Sequence, residues 1–562
     1  MTYGKAGSVD DFSFSTGQRF NADGQLQSHT YPDGSQQRYV YTLGQLSTIT
    51  LPNQSEITYE NYNWVMPERI NTPGASKTLA YDALLRPVRI EVKNQQAHLL
   101  AQRLYQYDAT GNISQIESDL GVTDYGYDKL DRLIQANPST ALQALNLPQE
   151  QYSYDPVGNR TVSAHQPGNW TYNADNQLTQ YPSLKPFSLG ASPVETQVSY
   201  SPQGHTQQET NAQGTKDYRY NAAERLIGFT NTLQGQSEPS IEAHYRYDPF
   251  GRRISKTVTQ NASSNSSTTW FIYSEQGLMA EANEQGELIK AYGFNPVAAQ
   301  QGLWSTDPIW QANVADNELN STETTYHYLH TDHLYTPILA TNKEGSITWK
   351  AVQEAFGAMS ALKSQSRISM NLRFPGQYYD VETATHYNFH RDYRPNAGRY
   401  VQSDPIGLED GGNTYSYVEN KVLNYIDFEG LTKWYISWGV GGSVGHAIVG
   451  ASVYRLHFFD PIRAKTCSYT VYCAGIGVGT PEVAIWSPPI IWDDGEGDCN
   501  SDCKKHEGYG LQSFAALMLV SGVSAGWTDI PNGPRLRGDV INFDAGAIKA
   551  GTGINYCRFS LD

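Results

Sequence analysis

Apolar and polar positions alternate with period two over most of the first 300 residues, in short runs broken by turn residues. The recurring unit is Tyr-x-Tyr, then Asp or Asn, two or three turn residues, and a second alternating run. It reads YVYTLGQL from Tyr39, YQYDATGNI from Tyr105, YGYDKLDRL from Tyr125 and YSYDPVGNR from Tyr152. It returns as YRYNAAERL from Tyr218 and YRYDPFGRRI from Tyr245, with weaker copies at Tyr81, Tyr172 and Tyr200. Alternation puts both tyrosine rings of a unit on one strand face, and Asp-x-x-Gly or Asn-Ala-x-x supplies a turn. Each unit is therefore predicted to be a β-hairpin. From Tyr41 to Tyr273 the spacing averages about 23 residues, a period that marks a repeat architecture. One hairpin alone is marginal, whereas a series that pairs edge to edge extends a sheet. The tyrosines are read as scaffold.

Three stretches interrupt this pattern. Residues 141–151 suggest a short helix or loop, 231–242 carry no repeat signal, and 259–268 (TQNASSNSST) are predicted to be a polar flexible loop. From Tyr326 the text changes to YHYLHTDHLYTP, which gathers His327, His330, Asp332 and His333. Imidazole and carboxylate suit a metal, but in a strand His327 and His330 point to opposite faces. Structural hydrogen bonding is the preferred reading, with no metal or other cofactor assigned.

Composition divides the chain. Its 562 residues carry a net charge of −17, and 39 tyrosines against 17 phenylalanines suit half-buried strands. All five cysteines (Cys467, Cys473, Cys499, Cys503, Cys557) fall in the stretch 432–562, where the charge is only −2. The remaining −15 makes the larger part a poor binder of nucleic acid. The first residues lack the basic and apolar blocks of a signal peptide.

The junction between the two parts holds the candidate chemistry. Asp404-Pro405-Ile406-Gly407-Leu408 and Asp427-Phe428-Glu429-Gly430-Leu431 share the form Asp-x-x-Gly-Leu. Proline and glycine make each a tight turn that presents a carboxylate. Two such carboxylates brought close share one proton, the state needed to activate water against a peptide bond.

With PGQYYD (375–380) and GRY (398–400), this stretch resembles the core end of the Rhs/YD-repeat proteins, which include polymorphic toxins and C components of insecticidal toxin complexes. The tyrosine repeats resemble the YD repeats of the same family. The resemblance implies a mainly β fold, its hairpins spiralling into a hollow β-shell that encloses a C-terminal toxin. It implies an intramolecular aspartyl protease with Asp404 and Asp427 as the catalytic pair and Arg391 in support, cutting between Leu431 and Thr432. It further implies delivery from a bacterium, as by type VI secretion, from a cytoplasmic origin. An upstream shell fragment or delivery protein and an immunity protein are the expected partners. Phe428 stands where the second turn usually has proline, which leaves that turn's rigidity in question.

The expected domains are 1–325 (repeat shell), 326–431 (core with autoprotease) and 432–562 (cargo). The cargo reads as β-rich with one helix at 511–520. Gly441–Gly445 and Gly522–Gly526 match the nucleophile-elbow pattern, as glycine-rich sequence often does by chance. Cys499, Cys503 and His506 have zinc spacing, with free or disulfide-bonded cysteine preferred. The acidic run 494–502 falls short of a calcium loop, and His446 alone does not define a hydrolase. The competing function is a non-cleaving structural or adhesive YD-repeat surface protein with a C-terminal binding module.

Overall fold

The structure, a computed structural model, describes residues 12–63, 66–183, 187, 191–261, 265–299 and 303–433. It also describes the backbone of 2–3, 300, 434–435, 449–460, 465–478, 508–519, 525–529 and 548–561. The chain divides into two compact units, Met1–Ile436 and Ser437–Asp562.

The first unit is built from two antiparallel meanders. One sheet has 14 strands, from Gly17–Phe20 to Arg160–Ser163; the other has 16, from Thr171–Tyr172 to Met359–Ala361. In both, every strand pairs with its neighbours in sequence, as expected of hairpins laid edge to edge. The second sheet crosses residue 325 without a break, because Thr325–Thr331 pairs with Pro308–Asn313.

The Tyr-x-Tyr signal has two physical parts. The first tyrosine is buried in five of these pairs (Tyr39, Tyr105, Tyr152, Tyr218, Tyr245) and half-buried in the pair that starts at Tyr125. A β-bulge lies immediately before the second, between Val40/Tyr41, Gln106/Tyr107, Ser153/Tyr154, Arg219/Tyr220 and Arg246/Tyr247. The bulge re-aims that side chain. From the unit at Tyr105 onward, the hydroxyl of this second tyrosine donates to a backbone carbonyl at the start of the preceding unit's return strand. Tyr107 reaches Pro87 O (2.8 Å), Tyr127 Ile113 O (2.7 Å), Tyr154 Leu133 O (2.6 Å), Tyr220 Thr206 O (2.9 Å) and Tyr247 Leu226 O (2.7 Å). Tyr172 makes the same bond to Arg160 O (2.8 Å), so the ladder runs on where one sheet ends and the next begins.

Each aspartate of the repeat closes its own turn. Asp82, Asp128 and Asp248 accept from backbone N–H groups two and four residues on, and each pairs at 2.7 Å with the arginine at the turn's end. Those arginines lie over a tyrosine of the next unit: Arg86 over Tyr107, Arg132 over Tyr154 and Arg252 over Tyr273.

Because the meander alternates direction, the described turns that follow tyrosine strands lie along one edge. Residues 373–424 pack over that edge. Asn424 donates to Asn112 Oδ1, Asn420 to Gly158 O, Arg399 to Asn176 O, Tyr415 to Gly204 O and Arg225 to Phe389 O. This stretch contains a four-stranded sheet: Tyr378–Asp380, Thr385–Asn388, Arg391–Arg394 and Arg399–Tyr400. Two buried ion pairs fasten it to the long sheets, Arg253–Asp380 and Arg394–Glu209. Its aromatic residues Tyr393, Tyr400 and Tyr417 share a core with Tyr105, Leu133 and Tyr152 of the 14-stranded sheet.

Two local expectations are corrected. Within 259–268, the residues up to Gln260 and from Asn265 onward are strand, with Val258 opposite Ser267 and Gln260 opposite Asn265. The polar text reflects a solvated face, where threonine and serine pair across strands as readily as apolar residues. The helix expected at 511–520 is instead the strand Gly508–Leu519, paired along its length with Ile548–Leu561 and near its start with Ala525–Asp529. A short apolar run fits either period, and here pairing on both edges satisfies the backbone. The helix Thr140–Gln143 lies where a helix or loop was expected.

Among the described residues, the second unit has five strands in the order Val449–Asp460, Lys465–Val478, Ile548–Leu561, Gly508–Leu519 and Ala525–Asp529, all antiparallel. The candidate zinc, calcium and His446 positions lie outside the described residues, as do Gly441–Gly445 and most of Gly522–Gly526.

Candidate active site

Arg391, Asp404 and Asp427 meet. Arg391 opens the third strand of the small sheet, and its side chain is 1% exposed. Asp404 begins the turn after the fourth strand, and Asp427 follows the short strand Tyr425–Ile426. The guanidinium joins the two acids: Nη1 lies 2.8 Å from Asp404 Oδ2 and Nη2 lies 3.4 Å from Asp427 Oδ2. Its Nε donates to Gly430 O at 2.6 Å and Nη1 also donates to Thr414 O at 3.0 Å. The ring of Tyr400 lies 3.7 Å beneath the guanidinium carbon.

Asp427 is held from all sides. Its Oδ2 accepts from Tyr400 Oη at 2.7 Å, and its Oδ1 accepts from Gly430 N (2.8 Å) and Leu431 N (3.1 Å). Asn388 Nδ2 donates to the backbone oxygen of Asp427 at 2.7 Å and to Tyr400 Oη at 2.8 Å. The carboxylate that opens the turn thus grips the amide of Leu431, next to the expected cut. Asp404 is held more lightly, by Arg391 and by Ile406 N at 3.0 Å.

Burial governs the ionisation of both acids. It pushes the Asp404 carboxyl up to about 6, against the pull of Arg391. It also raises Asp427, opposed by Arg391 and by the Tyr400 hydroxyl. A proton is therefore retained in the pair well above the usual carboxylate range.

The missing proline of the second turn is replaced by packing. Phe428 is 1% exposed and sits against Leu334, Ile426, Leu303 and Trp304. Its backbone lies so close to Gly376 that a Cβ there would fall 2.0 Å from Phe428 O. Gly430 has φ +70°, and a Cβ on it would meet Asn388 O at 2.5 Å. Only glycine fits either place. The turn is fixed by its surroundings rather than by a ring in its backbone.

The histidine group does not converge. His327 Nδ1 lies 3.1 Å from Thr348 Oγ1, His330 Nε2 3.0 Å from Thr341 Oγ1, and His333 Nε2 2.9 Å from Leu423 O. Each imidazole is spent on a separate hydrogen bond, as the structural reading expected. No local pattern in the sequence assigns Tyr400 or Asn388 to this site. GRY contributes the ring, but nothing local in the sequence says that its hydroxyl reaches as far along the chain as Asp427.

Comparison with known proteins agrees with this architecture. The profile described as RHS repeat matches residues 20–56, and that described as RHS protein matches 327–362. The double-stranded DNA deaminase toxin A of Burkholderia cenocepacia is 29% identical over 355 residues, which cover 61% of this chain and 22% of that protein. The toxin protein Tse5 of Pseudomonas aeruginosa is 26% identical over 368 residues, 59% of this chain and 27% of its own length. The chain thus spans about a quarter of these relatives. A crystal structure of TcdB2-TccC3 without its hypervariable C-terminal region matches 75% of this chain and 22% of its own, with TM-score 0.55 and 21% identity, a likeness of fold.

Proposed function

We propose that this chain, an Rhs/YD-repeat protein, is the cargo-bearing part of a toxin delivery protein that cuts its own backbone after Leu431. The observation that carries this reading is the pair of buried carboxylates on one arginine, with Asp427 bonded to the Leu431 amide.

The chemistry follows from the contacts. Asp404, the less tightly held acid, takes a proton from water as the water oxygen attacks the Leu431 carbonyl carbon. The protonated partner of the pair delivers its proton to the Thr432 nitrogen as the C–N bond breaks. The products are a Leu431 carboxylate and a Thr432 amine. Arg391 keeps the pair in place and offsets the negative charge that develops on the carbonyl oxygen. One cut per chain makes this processing rather than metabolism. Residues 432–562 are the released toxin, shielded by a β-shell until then and matched by an immunity protein in the producing cell.

The test is mass under denaturing conditions. The parent runs as two pieces, 1–431 and 432–562, whereas Asp404→Asn or Asp427→Asn runs as one chain of 562 residues. Cleavage to completion in both variants removes the proposed roles. A parent that stays whole favours the competing reading, a non-cleaving YD-repeat surface protein in which the ion pairs only anchor two strand ends.

A further inference from the structure

The cut lies in a hairpin that is anchored on both sides, and the second anchor has no counterpart in the turn motif. Tyr425–Ile426 pairs with Trp434–Tyr435, Ile426 opposite Trp434, so residues 427–433 form the connecting loop. On the side before the cut, Asp427 grips Gly430 N and Leu431 N while Arg391 takes Gly430 O. On the side after it, Lys433 Nζ donates to Asp410 O at 2.9 Å, to Asp410 Oδ1 at 3.3 Å and to Glu419 Oε1 at 3.1 Å. Lys433 N also donates to Asp410 Oδ1 at 3.4 Å. Thr432, between the two anchors, is exposed.

We propose that Asp410, Glu419 and Lys433 form a clasp that positions the Leu431–Thr432 bond for cutting, as positioning residues for the self-cleavage proposed above, on which this inference rests. A scissile peptide needs both flanks fixed, because an ångström of misplacement costs a large factor in rate. The motif fixes only the flank before the cut. The clasp supplies the other from two loops, the one that follows the Asp404 turn and the 3-10 turn Val418–Asn420. Lys433 is in turn stabilised as a cation: burial works against its charge, but Asp410 and Glu419 outweigh it. It also offsets the charge of Asp410, whose negative charge adds to the upward push on both acids of the pair. Lysine serves here as a compact three-donor point charge, able to hold a carbonyl and two carboxylates at once.

The experiment is a time course of full-length chain made by cell-free translation, sampled into denaturant, with the new N-terminus read by mass spectrometry. Lys433→Ala and Asp410→Ala are expected to slow the cut roughly 10- to 100-fold, with new N-termini spread around residue 432. Lys433→Arg, which keeps the charge, is expected to recover most of the parental rate and the single N-terminus. The clasp is overturned if Lys433→Ala cuts at the parental rate and at the same bond, or if Lys433→Arg is no better than Lys433→Ala. A parent that never cuts removes the self-cleavage reading itself; a parent that cuts beside an indifferent Lys433→Ala removes only the clasp.

Discussion

The two Asp-x-x-Gly-Leu turns look alike in sequence and live in opposite surroundings. Around Asp404 the turn is at the surface: Pro405 is exposed, Leu408 is 68% exposed, and a Cβ on Gly407 would meet nothing within 4 Å. Around Asp427 the turn is enclosed: Phe428 is buried and Gly430 is pressed against Asn388. The first turn is held by its proline, the second by its neighbours. One acid is buried beneath a surface turn and lightly bound; the other is clamped beside the bond in question. A shared motif fixes where the carboxylates stand, and burial decides what each can do.

Arg391, which both turns use, gives the largest expected effect. Removing it in Arg391→Ala leaves two buried carboxylates without their cation, a loss of about 3–5 kcal/mol. Thermal melting should show it as a large drop, and cleavage should stop. An Arg391→Ala protein with parental melting and cleavage would break the account of the pair. Next comes the contrast between the apolar residues. Phe428→Ala should cost about 3–5 kcal/mol, whereas Leu408→Ala should stay within roughly 0.5 kcal/mol. Equal melting shifts would mean that the second turn is not fixed by packing.

The glycines sharpen the same contrast. Both have positive φ, so Gly407→Ala should cost about 1–2 kcal/mol from backbone conformation alone. Gly430→Ala adds a clash with the Asn388 carbonyl and should cost more, with cleavage slowed as Leu431 shifts. Proteolysis rates of the two variants would compare them. The smallest effect is in pH. An unfolded aspartate titrates near about 3.9 and native Asp404 near about 6, so between those values the native state holds the extra proton. Stability from this group therefore falls as pH rises through that window. The cleavage rate should instead rise as pH passes about 6 and Asp404 ionises to act as base. Asp404→Asn should flatten the stability slope.

Much of this was legible in the chain. Tyr-x-Tyr followed by Asp or Asn gave the hairpins, since alternation and turn chemistry are local. Asp404, Asp427 and Arg391 were legible through resemblance, and the structure brings them onto one guanidinium. Tyr400, Asn388 and Lys433 were not, because their roles arise from contacts between distant parts of the chain that no spacing rule encodes. The second tyrosine of each repeat reads as scaffold from its spacing, and its hydroxyl bond depends on a bulge that the sequence does not announce. The run 511–520 misled for the opposite reason: local preference favoured a helix, and two partner strands overruled it.

The gathering of all the tyrosine-strand turns on one margin imposes a parity rule on change in the wall. Adding or removing two strands keeps every later turn on its own side, still facing the stretch that carries Arg391. Adding or removing a single strand would send all later turns to the opposite side and leave Asn420, Arg399 and Tyr415 with no carbonyls to meet. Such proteins can therefore lengthen or shorten only in whole hairpins, which makes the hairpin, rather than the residue or the strand, their unit of inheritance.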